Sequence, residues 1–173
     1  QQDDRFDRDA RRLHIDEQKT DALLFARNVD TPDRLLRLTS DLRASVDRDA
    51  PILIDQEGGR VQRLRAPHWR EWLPPLDQVA AFSGAKSASE NDVSSAKSAS
   101  DSETAFASNP AARAMYLRGL LIGKELLAHG IDVNCAPSAD IAWPETHPFL
   151  RNRCYGTDAA TVVAMARACA EGL

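Results

Sequence analysis

Ile52-Leu53-Ile54-Asp55-Gln56-Glu57-Gly58-Gly59-Arg60-Val61-Gln62-Arg63-Leu64 sets the architecture of this 173-residue chain. Three apolar residues run into Asp55 and Glu57, then two glycines, then two arginines three apart. The pattern is that of a buried parallel strand ending in a polar, sharply turning loop. In parallel α/β proteins the chemistry sits at the carboxyl ends of strands. The segment thus brings a carboxylate and a guanidinium to a place where a small polar ligand binds.

Working outward, Ala22–Val29 is a short apolar run and reads as a buried strand. Asp30 or Thr31 can cap the helix that follows, and Pro32 suits its first position. Leu35, Leu38, Leu42 and Val46 recur at helical spacing, which predicts one apolar stripe. Pro51–Asp55 is the next strand, so the segment is a βαβ unit, parallel and right-handed. Residues 66–76, with Pro67, Trp69, Trp72, Pro74 and Pro75, read as an irregular loop. Pro110–His129 predicts a helix with Met115, Leu121, Ile122 and Leu126 on one face and Gly130 past its end. Ile131–Ala136 is a third strand. Residues 143–157 read as a polar loop, and a last helix starts near Asp158 with Val162, Val163, Met165 and Ala166.

Two stretches stand apart. Residues 3–19 are strongly charged and read as an exposed helix or a frayed end. Between Gly84 and Asn109, eight of 26 residues are Ser, and Ala-Lys-Ser-Ala-Ser occurs at 85–89 and again at 96–100. That composition offers too little apolar surface to offset ordering entropy, so 84–109 reads as a flexible insertion. The remainder alternates strand and helix, which argues for a parallel sheet or barrel. Three strands are visible where a (β/α)8 barrel has eight, so the expected fold is part of a barrel, with residues 1–173 an incomplete barrel domain.

Composition narrows the function classes. Lys and Arg number 22 and Asp and Glu 26, a net charge of −4 with the signs interspersed. No basic face suggests nucleic acid. No apolar run approaches the length of a membrane span. Cys135, Cys154 and Cys169 follow no CxxC spacing, which favours a thiol-reducing compartment and buried, inert cysteines. The chain begins with Gln1 and holds neither an initiator Met nor an apolar h-region, so a signal peptide is neither present in it nor excluded upstream.

Asp55 and Glu57 point to one side if extended geometry continues. Neighbours on one strand rarely straddle a glycosidic bond as an acid and a nucleophile must. Asp55 is therefore either an acceptor for substrate hydroxyls or an ion-pair partner of Arg60 or Arg63. Gly58-Gly59 permits positive φ and close backbone approach but is no phosphate loop, since no Gly-Lys-Ser/Thr follows. Arg60, Arg63 and Arg65 offer forked donors for a carboxylate or sugar hydroxyls, or are solvated. Trp69 and Trp72 either stack on a sugar or pack the loop. The histidines show no metal spacing, no serine elbow occurs, and His129 sits at a helix end where dipole and capping effects explain it. Arg153, in His147-Pro-Phe-Leu-Arg-Asn-Arg-Cys-Tyr-Gly, is on chemistry alone a loop cation.

Ile54-Asp-Gln-Glu-Gly-Gly-Arg-Val-Gln-Arg63 resembles the signature loop of the beta-N-acetylhexosaminidases of glycoside hydrolase family 3. Leu24-Phe-Ala-Arg-Asn-Val29 resembles that family's Leu-Phe-x-Arg-Asn strand. Gly130-Ile-Asp-Val-Asn-Cys-Ala-Pro137 with Asp140, His147-Pro148 to Arg153, Tyr155-Gly156 and Ala170–Leu173 are similar to its following segments. Arg151-Asn152 stands where the family commonly has Gly-Asp. The resemblance implies a partial TIM (β/α)8 barrel, about strands two to four. It also implies a retaining hydrolase that removes terminal N-acetylglucosamine from peptidoglycan fragments during cytoplasmic cell-wall recycling. Asp55, Arg63 and Arg153 match residues that hold the sugar, which sets its orientation before chemistry. The family's Lys-His-Phe-Pro-Gly-His-Gly loop and its aspartate nucleophile have no match in these 173 residues, so no catalytic residue, metal ligand or cofactor is expected here. Two other readings stand beside this one: a family 3 beta-glucosidase-like enzyme, and a non-catalytic half-barrel whose open sheet edges favour association.

Overall fold

The computed structural model describes residues 22–46, 48–84, 106 and 108–173. The charged stretch at 3–19 and nearly all of the serine-rich stretch at 84–109 lie outside the described residues. By internal contacts the chain divides into two units. One holds the residues up to Gln56, Gln62–Arg70 and Glu125–Cys135; the other holds Glu57–Val61, Glu71–Lys124 and Ala136–Leu173.

The first unit contains the sheet. Strands β1 (Ala22–Leu24), β2 (Ile52–Ile54) and β3 (Val133–Asn134) lie side by side in that order. Both pairings are parallel, with Ala22 opposite Ile52 and Leu53 opposite Val133. Ile52, Ile54 and Leu24 are fully buried, and each such side chain stabilises the fold by about 1.5–3 kcal/mol. Covered parallel strands read as unbroken apolar runs, which is why β2 was legible, whereas in β3 Val133 is exposed and Asn134 only partly buried.

The strands are shorter than the apolar runs suggest. β1 stops at Leu24 because Ala26–Asn28 turns into a single 3-10 turn. The Asn28 side chain accepts a hydrogen bond from the Phe25 backbone N–H at 2.9 Å and closes that turn. A local side-chain acceptor has displaced the ladder here.

Helix α1 (Pro32–Ser45) follows, with Pro32 at its first position and Thr31 at its N-cap, whose side chain makes no capping bond. Leu35, Leu38 and Leu42 are buried as predicted, and Thr39 joins them. Thr39 Oγ1 donates to the His129 carbonyl at 2.9 Å, which ties the helix to the turn before β3. Asp132 Oδ2, at the entry to β3, accepts from the Ile52 N–H at 2.9 Å.

The second unit is helical. Helix α2 (Pro75–Ser83) begins in sequence read as the end of a loop and runs through residues to which the sequence reading gave no element, stopping before the insertion. Its clustered prolines concealed it, although Pro75 merely starts it, where no N–H is needed. Helix α3 (Pro110–Leu127) has its first turn capped by Asn109, whose Oδ1 accepts from the N–H groups of Ala111 and Ala112 at 3.1 Å each. Met115, Ile122 and Leu126 are buried as expected, but Leu121 is 42% exposed. Gly130, beyond the helix, has φ +69. A short helix α4 (Pro148–Arg151) interrupts the predicted polar loop, started by His147 Nδ1, which accepts from the Phe149 N–H at 3.1 Å.

Helix α5 (Ala159–Gly172) is capped by Asp158, which accepts from the Thr161 N–H at 2.9 Å. Val162, Met165 and Ala166 are buried, whereas Val163 is 65% exposed. With Val79, Ala111, Ala112, Met115, Tyr116, Tyr155, Ala168 and Cys169, Met165 and Ala166 form the core of this unit. Helices α3 and α5 approach through glycine. A Cβ on Gly119 would run into the Cys169 carbonyl oxygen, and one on Gly172 would run into that of Tyr116 and lie 2.8 Å from the Leu120 nitrogen. None of the three cysteines forms a disulfide; Cys154 and Cys169 are buried as expected, but Cys135 is exposed.

Candidate functional site

β2 delivers its chain to a loop whose shape is fixed by three amide side chains. Gln56 is fully buried. Its Oε1 accepts from the N–H groups of Arg63 and Leu64 at 2.9 and 3.0 Å, and its Nε2 donates to the Leu64 carbonyl at 3.1 Å. Gln62 Nε2 donates to the carbonyls of Leu64 and Arg70, both at 2.7 Å. Asn134, at the end of β3, exchanges two hydrogen bonds with the Gln56 backbone, at 3.0 and 3.1 Å. A loop leaving a sheet loses its ladder partners, and buried backbone groups left unpaired are expensive. The glutamines and the asparagine supply those partners.

The consequence is that Arg63, eight residues beyond Asp55, is anchored beside it. Arg63 Nη2 donates to Asp55 Oδ2 at 2.6 Å, with both side chains about a quarter exposed. The two predicted residues do face each other at the carboxyl end of a parallel strand. Arg63 Nε is buried and finds no acceptor among the described residues. The accessible part of the pair is the remainder of the Arg63 guanidinium and the Asp55 carboxylate, which together offer donors and acceptors at the surface.

In the second unit, Glu57 and Arg153 form a bidentate pair. Arg153 Nε and Nη2 donate to Glu57 Oε2 and Oε1 at 2.9 and 2.6 Å. The Glu57 side chain is 3% exposed and that of Arg153 34% exposed, so the guanidinium spans from a buried carboxylate to the surface. Arg153 is thus a built and oriented cation, not an unremarkable one. Arg60 lies over the Phe149 ring, 4.6 Å from its centre. Asp55 and Glu57 each take a separate guanidinium, which fits neither an acid and nucleophile pair nor the sharing of one arginine.

Behind Glu57 lies Arg118 of α3, which is 1% exposed. Its Nη2 donates to the Glu57 carbonyl and, at 2.9 Å, to the Leu73 carbonyl; its Nη1 donates to Gln78 Oε1. Burial pulls this guanidinium below its ordinary pKa, while Tyr155, Cys169 and Glu57 act the other way. Gly58, at φ +104, leaves the space it occupies: a Cβ there would run into Arg118 Nη2 and lie 2.7 Å from the Leu73 carbonyl oxygen.

Trp69 is buried and packs edge-on against His68 and His129, so it serves the loop and does not offer a stacking face. The Trp72 ring takes the Arg118 guanidinium at 5.5 Å. Among the described residues no group of three or more His, Cys, Asp or Glu could hold a metal ion. No described helix is long and apolar enough to cross a membrane.

Sequence reasoning singled out Asp55, Arg63 and Arg153 as candidates but not Gln56, Gln62, Asn134 or Arg118, which hold the loop and the Glu57 carbonyl. Arg118 carried a usable signal. It stands three residues after Met115 and four before Ile122, on the apolar face of α3, where a cation needs buried partners. The amides gave none, because a glutamine's burial depends on a turn that sequence spacing does not describe.

Comparison with known proteins gives the family and the fold. The family model described as glycosyl hydrolase family 3 N terminal domain matches residues 3–173. A beta-hexosaminidase of Vibrio cholerae is 30% identical over 151 residues, covering 87% of this chain and 37% of the relative. The chain therefore spans under two-fifths of the length of that curated relative. NagZ from Neisseria gonorrhoeae, solved in complex with N-trifluoroacetyl-D-glucosamine, superposes with a TM-score of 0.69 at 24% identity, over 92% of this chain and 40% of that one. A family 3 beta-N-acetylglucosaminidase from a Paenibacillus species gives a TM-score of 0.65 at 26% identity, over 91% and 26% of the two chains. These superpositions and the parallel sheet show the fold class to be α/β, part of a TIM-type barrel.

Proposed function

The chain belongs to glycosyl hydrolase family 3, and from that premise we propose that it carries part of the sugar site of a beta-N-acetylhexosaminidase. The substrate is terminal N-acetylglucosamine on peptidoglycan fragments, released with retention during cell-wall recycling in the cytoplasm. Residues 1–173 form part of an N-terminal barrel domain with a serine-rich insertion at 84–109. The relatives' names support the sugar class, since one is a beta-hexosaminidase and another a beta-N-acetylglucosaminidase.

Within this chain the roles follow from the donors and acceptors. Asp55 meets Arg63 through one oxygen only, so its other oxygen accepts from a sugar hydroxyl. Arg63 offers the exposed part of its guanidinium to a ring or hydroxyl oxygen. Arg153, held by Glu57 within the second unit and a third exposed, is by the resemblance a sugar-holding donor in its own right. Charge-assisted bonds of this kind are worth roughly 1.5–3 kcal/mol each, and a ring held at several oxygens is oriented before bond cleavage. The bond-breaking groups are not among these residues.

The observation that carries this reading is the partly exposed Asp55–Arg63 pair at the carboxyl end of β2. Saturation-transfer NMR on the purified chain with N-acetylglucosamine, and separately with glucose, tests it. Transfer to the N-acetyl methyl protons, with little to glucose, is expected. Equal transfer to both sugars favours a beta-glucosidase-like preference, and none to either refutes the sugar site.

A further inference from the structure

The geometry points to Arg118 as a positioning residue for Arg153, acting through the Glu57 peptide. This inference rests on the reading of Arg153 as a sugar ligand and extends the site to a residue buried beneath it.

Every link lies within one unit of the structure. Arg118 grips the loop from below: one nitrogen takes the carbonyls of Glu57 and Leu73, the other takes Gln78. Glu57 is fixed from above, since its N–H and that of Gly58 both donate to the Val61 carbonyl, at 2.9 and 3.0 Å. The Gly59 N–H donates to the Trp72 carbonyl at 2.8 Å. The backbone around Glu57 therefore has little freedom, and the Glu57 carboxylate is the two-pronged seat of Arg153. Displace the Glu57 carbonyl and the carboxylate moves with it, carrying the exposed end of Arg153 away.

Stability alone is a poor explanation for a cation at this position. A buried charge must be desolvated, and apolar replacement of such groups is often neutral or favourable. What a guanidinium provides that an apolar side chain does not is a fixed fork of donors able to hold two loop carbonyls and an amide at once. The demand is met from both sides: Gly58 lacks the Cβ that would collide with Arg118. Lysine, a single ammonium on a flexible stem, cannot reproduce the fork.

The test uses the 15N-labelled chain. The Arg153 Nε–Hε resonance is assigned by its loss in Arg153→Lys. Its bond to Glu57 predicts a downfield, slowly exchanging signal. In Arg118→Lys and Gln78→Ala, confirmed folded by circular dichroism, this signal is expected to shift and exchange faster, while that of Arg63 stays in place. N-Acetylglucosamine affinity should fall about tenfold in Arg118→Lys, as expected when a ligand group is misplaced. Gln78→Ala keeps Arg118 itself and decides the matter if Arg118→Lys does not fold. An unchanged Arg153 signal in the folded variants overturns the inference. A displaced signal with unchanged sugar affinity would uphold the positioning role and instead refute Arg153 as a sugar ligand.

Discussion

Glu57 and Arg153, 96 residues apart in sequence, meet through two hydrogen bonds in which the carboxylate is almost wholly buried and the guanidinium reaches the surface. A pair built this way joins stability to function, because the same contact that neutralises Glu57 aims Arg153.

Glu57→Gln leaves Arg153 with one good acceptor instead of a charged fork. Breaking a buried pair from one side is strongly destabilising, and the exposure of Arg153 moderates the loss. A decrease of about 2 kcal/mol in unfolding free energy is expected, measured by urea denaturation. A double-mutant cycle with Arg153→Met should show a coupling above about 1 kcal/mol.

Gly58→Ala should destabilise by more than about 2 kcal/mol, since it combines positive φ with a collision against Arg118. Gly84→Ala is the internal control. It has φ −91 and open space around the would-be Cβ, so its effect should lie near zero. Equal effects of the two substitutions would show that the Gly58 contact does not matter.

Gly119→Ala tests the approach of α3 to α5. A Cβ there meets the Cys169 carbonyl oxygen, backbone that cannot rotate away. A loss of about 1–3 kcal/mol is expected by thermal melting, as for overpacked interiors generally. Gly123→Ala, which would lie 2.7 Å from the Leu173 carbonyl oxygen at the chain's last residue, should cost less.

Two carboxyls predict opposite responses to pH. Burial raises the Glu125 pKa above 4.5, outweighing the Arg70 N–H and the nearby charges. Its protonated form is favoured by folding, so its stabilising contribution is full below about pH 4.5 and is lost as pH rises through the raised value. Hydrogen bonds to the Thr161 N–H and hydroxyl lower the Asp158 pKa below 3.8. Its contribution is present above that value and is lost as pH falls through the lowered one. Urea midpoints from pH 3 to 7 check both: Glu125→Gln should flatten the decline toward neutral pH, and Asp158→Asn the decline toward acid.

The fold was legible where burial imposes a repeating pattern. Ile52–Ile54 is apolar throughout because a parallel strand is covered on both faces. Leu35, Leu38 and Leu42 follow the helical period because α1 hides one face. Legibility failed where a single side chain ends an element. Asn28 turns the chain after β1, and His147 starts a four-residue helix inside an apparent loop. At the site, Asp55 and Arg63 were visible because an apolar strand running straight into charged residues marks its carboxyl end, and their ion pair was one of the two readings that spacing allowed. Glu57 and Arg153 were visible as residues but not as a pair, since nothing in local spacing links positions 96 apart.

The Arg63 Nε–Hε resonance, followed in the 15N-labelled chain during titration with N-acetylglucosamine, reports on the guanidinium paired with Asp55. A saturable downfield shift is predicted, with an affinity at least about tenfold weaker in Asp55→Asn, the loss expected for one charge-assisted bond. A resonance that stays in place at saturating sugar, or moves equally in Asp55→Asn, would contradict the account.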